Sequence, residues 1–276
     1  MASFRRFLNP SNYYRKAREV WFRMRYDLER IRDEERRKFE LAKFDRDRGL
    51  LELNKRLLAL GKSPYEDSTG MASVHWLLFA CLRSQINIRR ILEIGTFDGE
   101  TTAILAELFA ESEIVTIELP DTDPLLRGTY DYVRGDPIAL QAFHKRQAIN
   151  TRSANIIAHR LNSFFLPAQI DGTFDLVWVD GGHLYPEIAW DLCNAYHATR
   201  DGGIIMCDDI IVDPLGYRDN YVSPDSYTVL RYITERTGET LQLFLKRESA
   251  EWSADPMKRK YVGLLTKRLP ALQTVE

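Results

Sequence analysis

Asp180, Gly181, Gly182 and His183 stand together where an apolar run ends, in "FDLVWVDGGHLYPEIAWDL" at residues 174–192. A second apolar run, "IIMCDD", ends in the acid pair Asp208 and Asp209. If the two runs are neighbouring strands of one sheet, their ends are separated by about 4.8 Å, and three carboxylates share one small volume. Like charges that close resist joint ionisation unless protons or a cation offset them. Oxygen-only ligands favour a hard ion, Mg²⁺ first, so Asp180, Asp208 and Asp209 are candidate metal ligands. His183, as an imidazole with an ordinary pKa of about 6.5, can take a proton from a substrate hydroxyl. It can equally cap the helix that begins near Pro186 or brace Asp208. The two glycines would let the backbone turn closely beneath a substrate.

A third chemical pattern lies upstream, in "LEIGTFDGETT". A strand that enters a helix through a glycine turn lets a ligand approach the backbone, and the first N–H groups of the helix form a polar cradle. Gly95 and Gly99 are separated by Thr96, Phe97 and Asp98, so the G-x-G-x-x-G spacing of a dinucleotide site is not met. Glu93 closes the strand before the turn. Glu118 closes the next one, 23 residues after Gly95, where a carboxylate can accept both hydroxyl protons of a ribose.

Positioning these groups requires strands and helices in alternation, and the chain supplies them. "RRILEIG", "EIVTIE", "NIIAHRL", "FDLVWVD" and "IIMCDD" read as buried strands, with helical segments between them. "LQLFLKR" and "RKYVGLLTK" add two more, expected as an antiparallel edge pair. The reading is an α/β fold with seven strands, mostly parallel, and helices on both faces. Long loops follow Glu118 and Asp209 on the ligand edge, making Arg127, Tyr130, Tyr132, Arg134, Tyr217, Arg218 and Tyr221 substrate-contact candidates. His75, His144, His159 and His197 have no partner spacing and read as structural; Trp178 and Trp190 read as core.

The first sixty residues differ in character. They hold 17 Lys and Arg against 10 Asp and Glu, while the remainder holds 21 against 30. From about Tyr13 to Leu60 they form one long or two shorter helices, so the chain divides into a basic helical extension, 1–62, and a body, 63–276. The arginines and aromatics at the start would suit packing on the body or on a second subunit, or peripheral contact with an anionic membrane; nucleic acid is an unlikely partner. With Cys81, Cys193 and Cys207 in apolar surroundings, no CxxC spacing, no membrane-length apolar run and no signal-peptide h-region, the expectation is a cytoplasmic protein with reduced core thiols.

On Glu93, Gly95, Gly99 and Glu118 the sequence resembles the class I S-adenosylmethionine-dependent methyltransferases over roughly residues 65–266. The resemblance implies a Rossmann-like sheet and a cofactor site made by Glu93, Gly95, Thr96, Phe97, Asp98, Gly99, Thr101, Glu118, Asn162 and Ser163. Phe97 stands where the family commonly has glycine. "DGGH" and "DD" further resemble a metal-dependent O-methyltransferase branch that includes macrolide-sugar enzymes. That closer likeness implies Mg²⁺ on Asp180, Asp208 and Asp209, His183 as general base, and a hydroxyl of a small or glycan-linked, sugar-like acceptor. Metal-free methylation of nitrogen or carboxylate, and a cofactor-binding partner protein without turnover, are the rival readings.

Overall fold

The computed structural model describes residues 17, 20, 21, 24–66, 72–124, 136–248 and 255–268. Described residues of the basic segment include two full helices, α1 (Leu28–Leu41) and α2 (Arg46–Ala59). Each begins at an aspartate whose carboxylate accepts an N–H of the first turn, Asp27 from Arg30 and Asp45 from Arg48, both at 3.0 Å. The break between them passes through Lys43 at φ +59°.

Helix α3 (Val74–Arg83) follows, buried at every position except Arg83. An apolar helix of this kind needs cover on all sides, and α2 supplies one of them. Leu53 and Leu57 of α2 join α3 and the sheet in one core. Gly49 makes the crossing close, since a Cβ there would lie 2.5 Å from Cys81 Sγ.

The body then alternates: β1 (Arg90–Ile94), α4 (Glu100–Leu108), β2 (Glu113–Glu118), α5 (Pro137–Asn150), β3 (Ile156–Arg160), a short turn to α6 (Leu166–Gln169), β4 (Phe174–Val179), α7 (Glu187–Ala198), β5 (Thr199–Ile210), α8 (Asp225–Thr237), β6 (Leu241–Leu245) and β7 (Tyr261–Thr266). The strands form a seven-stranded sheet in the order β3-β2-β1-β4-β5-β7-β6. The first five pair in parallel; β7 runs antiparallel to both β5 and β6. This is the expected α/β sheet with its antiparallel edge pair.

Strand alternation builds two cores, one per face. Ile91, Leu176, Trp178, Ile204 and Met206 face α3 and α4, while Leu92, Val177, Val179, Ile205 and Cys207 face α7 and α8. Trp178 is fully buried as expected, but Trp190 is about half exposed and packs its ring on Phe164. Cys81 and Cys207 are buried free thiols; Cys193, expected in the core, is exposed because it lies on the outer side of α7. Among the described residues no helix is long and apolar enough to cross a membrane.

β6 ends the sheet, and α1 covers it. Glu35, buried on α1, accepts the Leu245 N–H at 2.9 Å, and Phe39 packs edge-on against Phe244 at 5.1 Å. An edge amide that would otherwise seek a strand from another chain is thereby satisfied.

Candidate active site

Chain order reverses between β1 and β4: from β1 the chain moves to β2 on one side, and β4 fills the other. Ligands of open α/β sheets bind outside the carboxyl ends at such a switch point. Both glycine segments lie there. Gly95 continues β1 and donates its N–H to Ile117 O at 2.9 Å, while Asp180 N–H reaches Ile94 O at 2.8 Å. Gly95 adopts φ +100°, and a Cβ on it would fall 2.3 Å from the Asp180 carbonyl oxygen. Glycine is required where the two loops touch.

Beneath the first loop, Glu93 is fully buried. One carboxyl oxygen accepts the hydroxyls of Thr102 at 2.5 Å and Thr116 at 2.6 Å; the other is buried without a partner. Burial drives its pKa up to about 8 against the two hydroxyls, so this acid carries a proton at neutral pH. Thr96 bonds Thr116 hydroxyl to hydroxyl at 2.7 Å, and the Thr101 hydroxyl meets His75 and Trp76 of α3 at 3.4 Å each. These two threonines therefore brace the loop from the protein side. Asp98 accepts the Glu100 N–H at 3.1 Å at the start of α4. Phe97 takes a left-handed backbone, φ +49°, where glycine would be at ease, and its ring is held edge-on by Phe143 at 5.2 Å.

Glu118 accepts the Phe97 N–H at 2.7 Å and the Leu119 N–H at 3.0 Å, so the expected ribose acid also ties β2 to the glycine loop. Asn162 reaches Asp123 at 3.2 Å and caps the following turn through Phe164 N–H at 3.0 Å. The Ser163 carbonyl is held by Asn194 of α7 at 2.7 Å. The candidate cofactor residues thus line one end of the sheet from β1 across to β3.

At β4 the second pattern assembles. His183 is buried, and its Nε2 lies 3.5 Å from Asp180 Oδ1, while Nδ1 is buried without a hydrogen-bond partner. Burial works against charging this imidazole, but Asp180 and the neighbouring carboxylates outweigh it and hold its pKa above the ordinary value. Burial and the nearby Asp208 lift Asp180 to about 6, with His183 and Lys246 opposing. The loop after β5 folds onto this segment: Val222 bridges His183, Ser223 Oγ donates to His183 O at 3.4 Å, and Asp225 accepts the Tyr185 N–H at 3.2 Å. Neither Gly181 nor Gly182 takes a left-handed backbone. Gly181 instead makes room for Asp191 of α7, whose carboxylate would be 2.9 Å from an added Cβ.

The acid pair has partners that the sequence did not announce. Lys246, just past β6, places its ammonium 2.5 Å from Asp208 Oδ2 and 2.5 Å from Asp209 Oδ1; Lys260, just before β7, adds a contact of 2.8 Å to Asp209 Oδ2. Asp209 takes φ +51°, unusual for a non-glycine residue, and faces both cations. Burial would raise the Asp209 pKa, but Lys246, His183 and Lys260 together hold it well below the usual carboxylate range. The expected magnesium set is not assembled: Asp180, Asp208 and Asp209 do not converge as a group able to hold a metal ion. Ammonium nitrogens stand against the oxygens that a metal would need, so the residues as placed do not fit Mg²⁺.

Of the loop candidates, Tyr217 and Tyr221 are exposed, and Arg218 pairs with Asp225 at 3.5 Å. Arg127, Tyr130, Tyr132 and Arg134 lie outside the described residues. Sequence reasoning missed Lys246, Lys260 and Asp191. A lysine after a strand is an ordinary solubilising residue, and only the β5-β7-β6 pairing carries these two to Asp208 and Asp209.

Residues 92–210, from β1 through β5, match the family described as a methyltransferase domain. The matched span carries the glycine loop at the switch point of the seven-stranded sheet. The matched span includes Glu93, Glu118, Asp180, His183, Asp208 and Asp209 and leaves out both lysines. No curated protein matches the sequence. Among solved structures, the O-methyltransferase TomG from Streptomyces achromogenes, involved in tomaymycin synthesis and in complex with SAM, is 18% identical, with 82% of this chain and 92% of that chain covered and a TM-score of 0.48. Cofactor-bound Rv0187 from MTB is 18% identical, covering 79% and 89%, with a TM-score of 0.46. An O-methyltransferase from Bacillus cereus in complex with SAH is 16% identical, covering 79% and 90%, with a TM-score of 0.44. At this level of likeness they carry no argument about what this chain acts on.

Proposed function

We propose that this chain is an S-adenosylmethionine-dependent methyltransferase acting on a hydroxyl of a small or glycan-linked, sugar-like acceptor, with His183 as the general base. The observation that carries the reading is the buried His183–Asp180 pair, set beside the Gly95 loop with one imidazole nitrogen unpartnered. Asp180 faces Nε2 and fixes the ring, leaving Nδ1 to take the hydroxyl proton. S-adenosylmethionine, when bound, supplies an electrophilic methyl group on a sulfonium. The buried Glu93 oxygen without a partner and the glycine loop fit its amino-acid half, and Glu118 with Asn162 and Ser163 would meet its ribose and adenine. Tyr217, Arg218 and Tyr221 sit on the loop that covers His183 and suit sugar hydroxyls or an anionic group on the acceptor. No step is assigned to magnesium, because Lys246 and Lys260 already pair with Asp208 and Asp209.

The test is methyl transfer from labelled S-adenosylmethionine to a panel of hydroxylated acceptors, by the wild type and by His183→Ala. The variant should keep cofactor affinity and lose about 10²-fold or more in kcat. Unchanged turnover in the variant would remove His183 as base; failure of the wild type to bind the cofactor in calorimetry would remove the whole reading.

A further inference from the structure

We propose that Lys246 is a resident cation that takes the place of a divalent metal at the acid pair, closing this methyltransferase site to Mg²⁺ and its relatives. The proposal rests on the functional reading only for its meaning; the geometry stands alone. Lys246 is fixed through the backbone on both sides. Its N–H donates to Lys260 O at 2.9 Å, its carbonyl accepts the Val74 N–H at 3.1 Å, and the preceding amide, Leu245, is held by Glu35 of α1. The side chain is only 14% exposed, and it bridges Asp208, 4% exposed, and Asp209, 15% exposed.

A lysine is almost never buried to this degree without a partner, and two aspartates side by side need compensating charge. With Lys260, the two acids meet two ammoniums, and the local charge closes without an added ion. Asp208 Oδ1 remains buried and unpartnered, an oxygen still in want of a donor. A magnesium ion needs about six oxygens at 2.0–2.1 Å in octahedral array. Here Asp208 Oδ2 and both Asp209 oxygens are engaged by ammonium nitrogens, and these repel a second cation. Lys246 acts through Asp208 and Asp209 and is therefore a positioning residue. It comes from the hairpin outside the matched methyltransferase span, on a strand that α1 holds in place.

The test is Mn²⁺ binding followed by electron paramagnetic resonance, on the full chain, for the wild type, Asp208→Asn, Lys246→Met, Lys246→Arg and the double variant Lys246→Met with Asp208→Asn. The expected result is no Asp208-dependent Mn²⁺ in the wild type. Lys246→Met should gain a site about tenfold tighter or more, lost again in the double variant, and Lys246→Arg should stay closed because it keeps the charge. Wild-type Mn²⁺ binding that disappears in Asp208→Asn overturns the proposal, as does a folded Lys246→Met that gains no site. If Lys246→Met does not fold, the wild type against Asp208→Asn decides alone. Calorimetry with S-adenosylmethionine on the same samples separates the two ideas, since loss of cofactor binding would remove the functional reading and leave the metal result standing.

Discussion

Two buried acidic sites in this protein solve the same electrostatic problem in opposite ways. Glu93, under the glycine loop, is surrounded by apolar strands and two threonine hydroxyls, and it is neutralised by a proton. Asp208 and Asp209, two strands away, are neutralised by ammonium groups, and Asp209 is held ionised. The difference follows from what the neighbouring chain can deliver. Among the described residues no cation bonds to Glu93, whereas the β6–β7 pair brings two lysines against the end of β5. A buried carboxylate without a cation keeps its proton; one with a cation keeps its charge.

The sharpest way to break this comparison is to remove the cation. Lys246→Met leaves the buried Asp208 without its cation and Asp209 with Lys260 alone, and should cost about 3–5 kcal/mol in urea unfolding at pH 7. A loss below about 1 kcal/mol would mean that water already screens the pair.

Removing the charge from Glu93 should have the opposite sign. Its pKa is about 8 in the folded state and 4.5 in its reference state. The native state therefore binds more protons between these values, and stability falls as pH rises through that window. Glu93→Gln keeps an acceptor for Thr102 and Thr116 and has no proton to lose. It should match the wild type near pH 4 and become progressively more stable up to pH 8, by up to about 1.4 kcal/mol per pH unit. Parallel stability curves for the two proteins would show that Glu93 ionises freely.

The remaining contrasts concern the support of the lysine side. Glu35→Ala strips the Leu245 amide of its acceptor at the covered sheet edge and should cost about 1–3 kcal/mol, with hydrogen exchange at Leu245 accelerated. Asp45→Ala removes only the cap of α2, and about 1 kcal/mol is expected. If that small loss also loosened Lys246, the extension would be coupled to the site more tightly than its separate contacts imply.

Much of the architecture was legible because its signals are local. Ile91, Leu92 and Ile94 mark a buried strand, and "DGG" marks the way into the next, where Gly202 takes φ +74° inside β5. Helix boundaries at Asp27 and Asp45 follow from side chains reaching amides three residues away. The candidate site was half legible. Asp180, His183, Gly95, Glu93 and Glu118 do gather at the β1–β4 switch point, as their placement at strand ends requires. Magnesium on the acid pair was the reasonable inference from three carboxylates considered by themselves, and it failed to allow for cations supplied from distant sequence.

By itself, then, the sequence determined which segments become strands and helices, where the strands end, and which acids and imidazole stand at those ends, since each depends on residues close together in the chain. Tertiary structure alone decided how the charges are balanced. Lys246 lies 38 residues from Asp208 and Lys260 lies 51 from Asp209, and burial plus the antiparallel pairing of β7 brings them within hydrogen-bond reach. Charge balance in a low-dielectric interior is set by distances in space, and no local pattern along the chain encodes them.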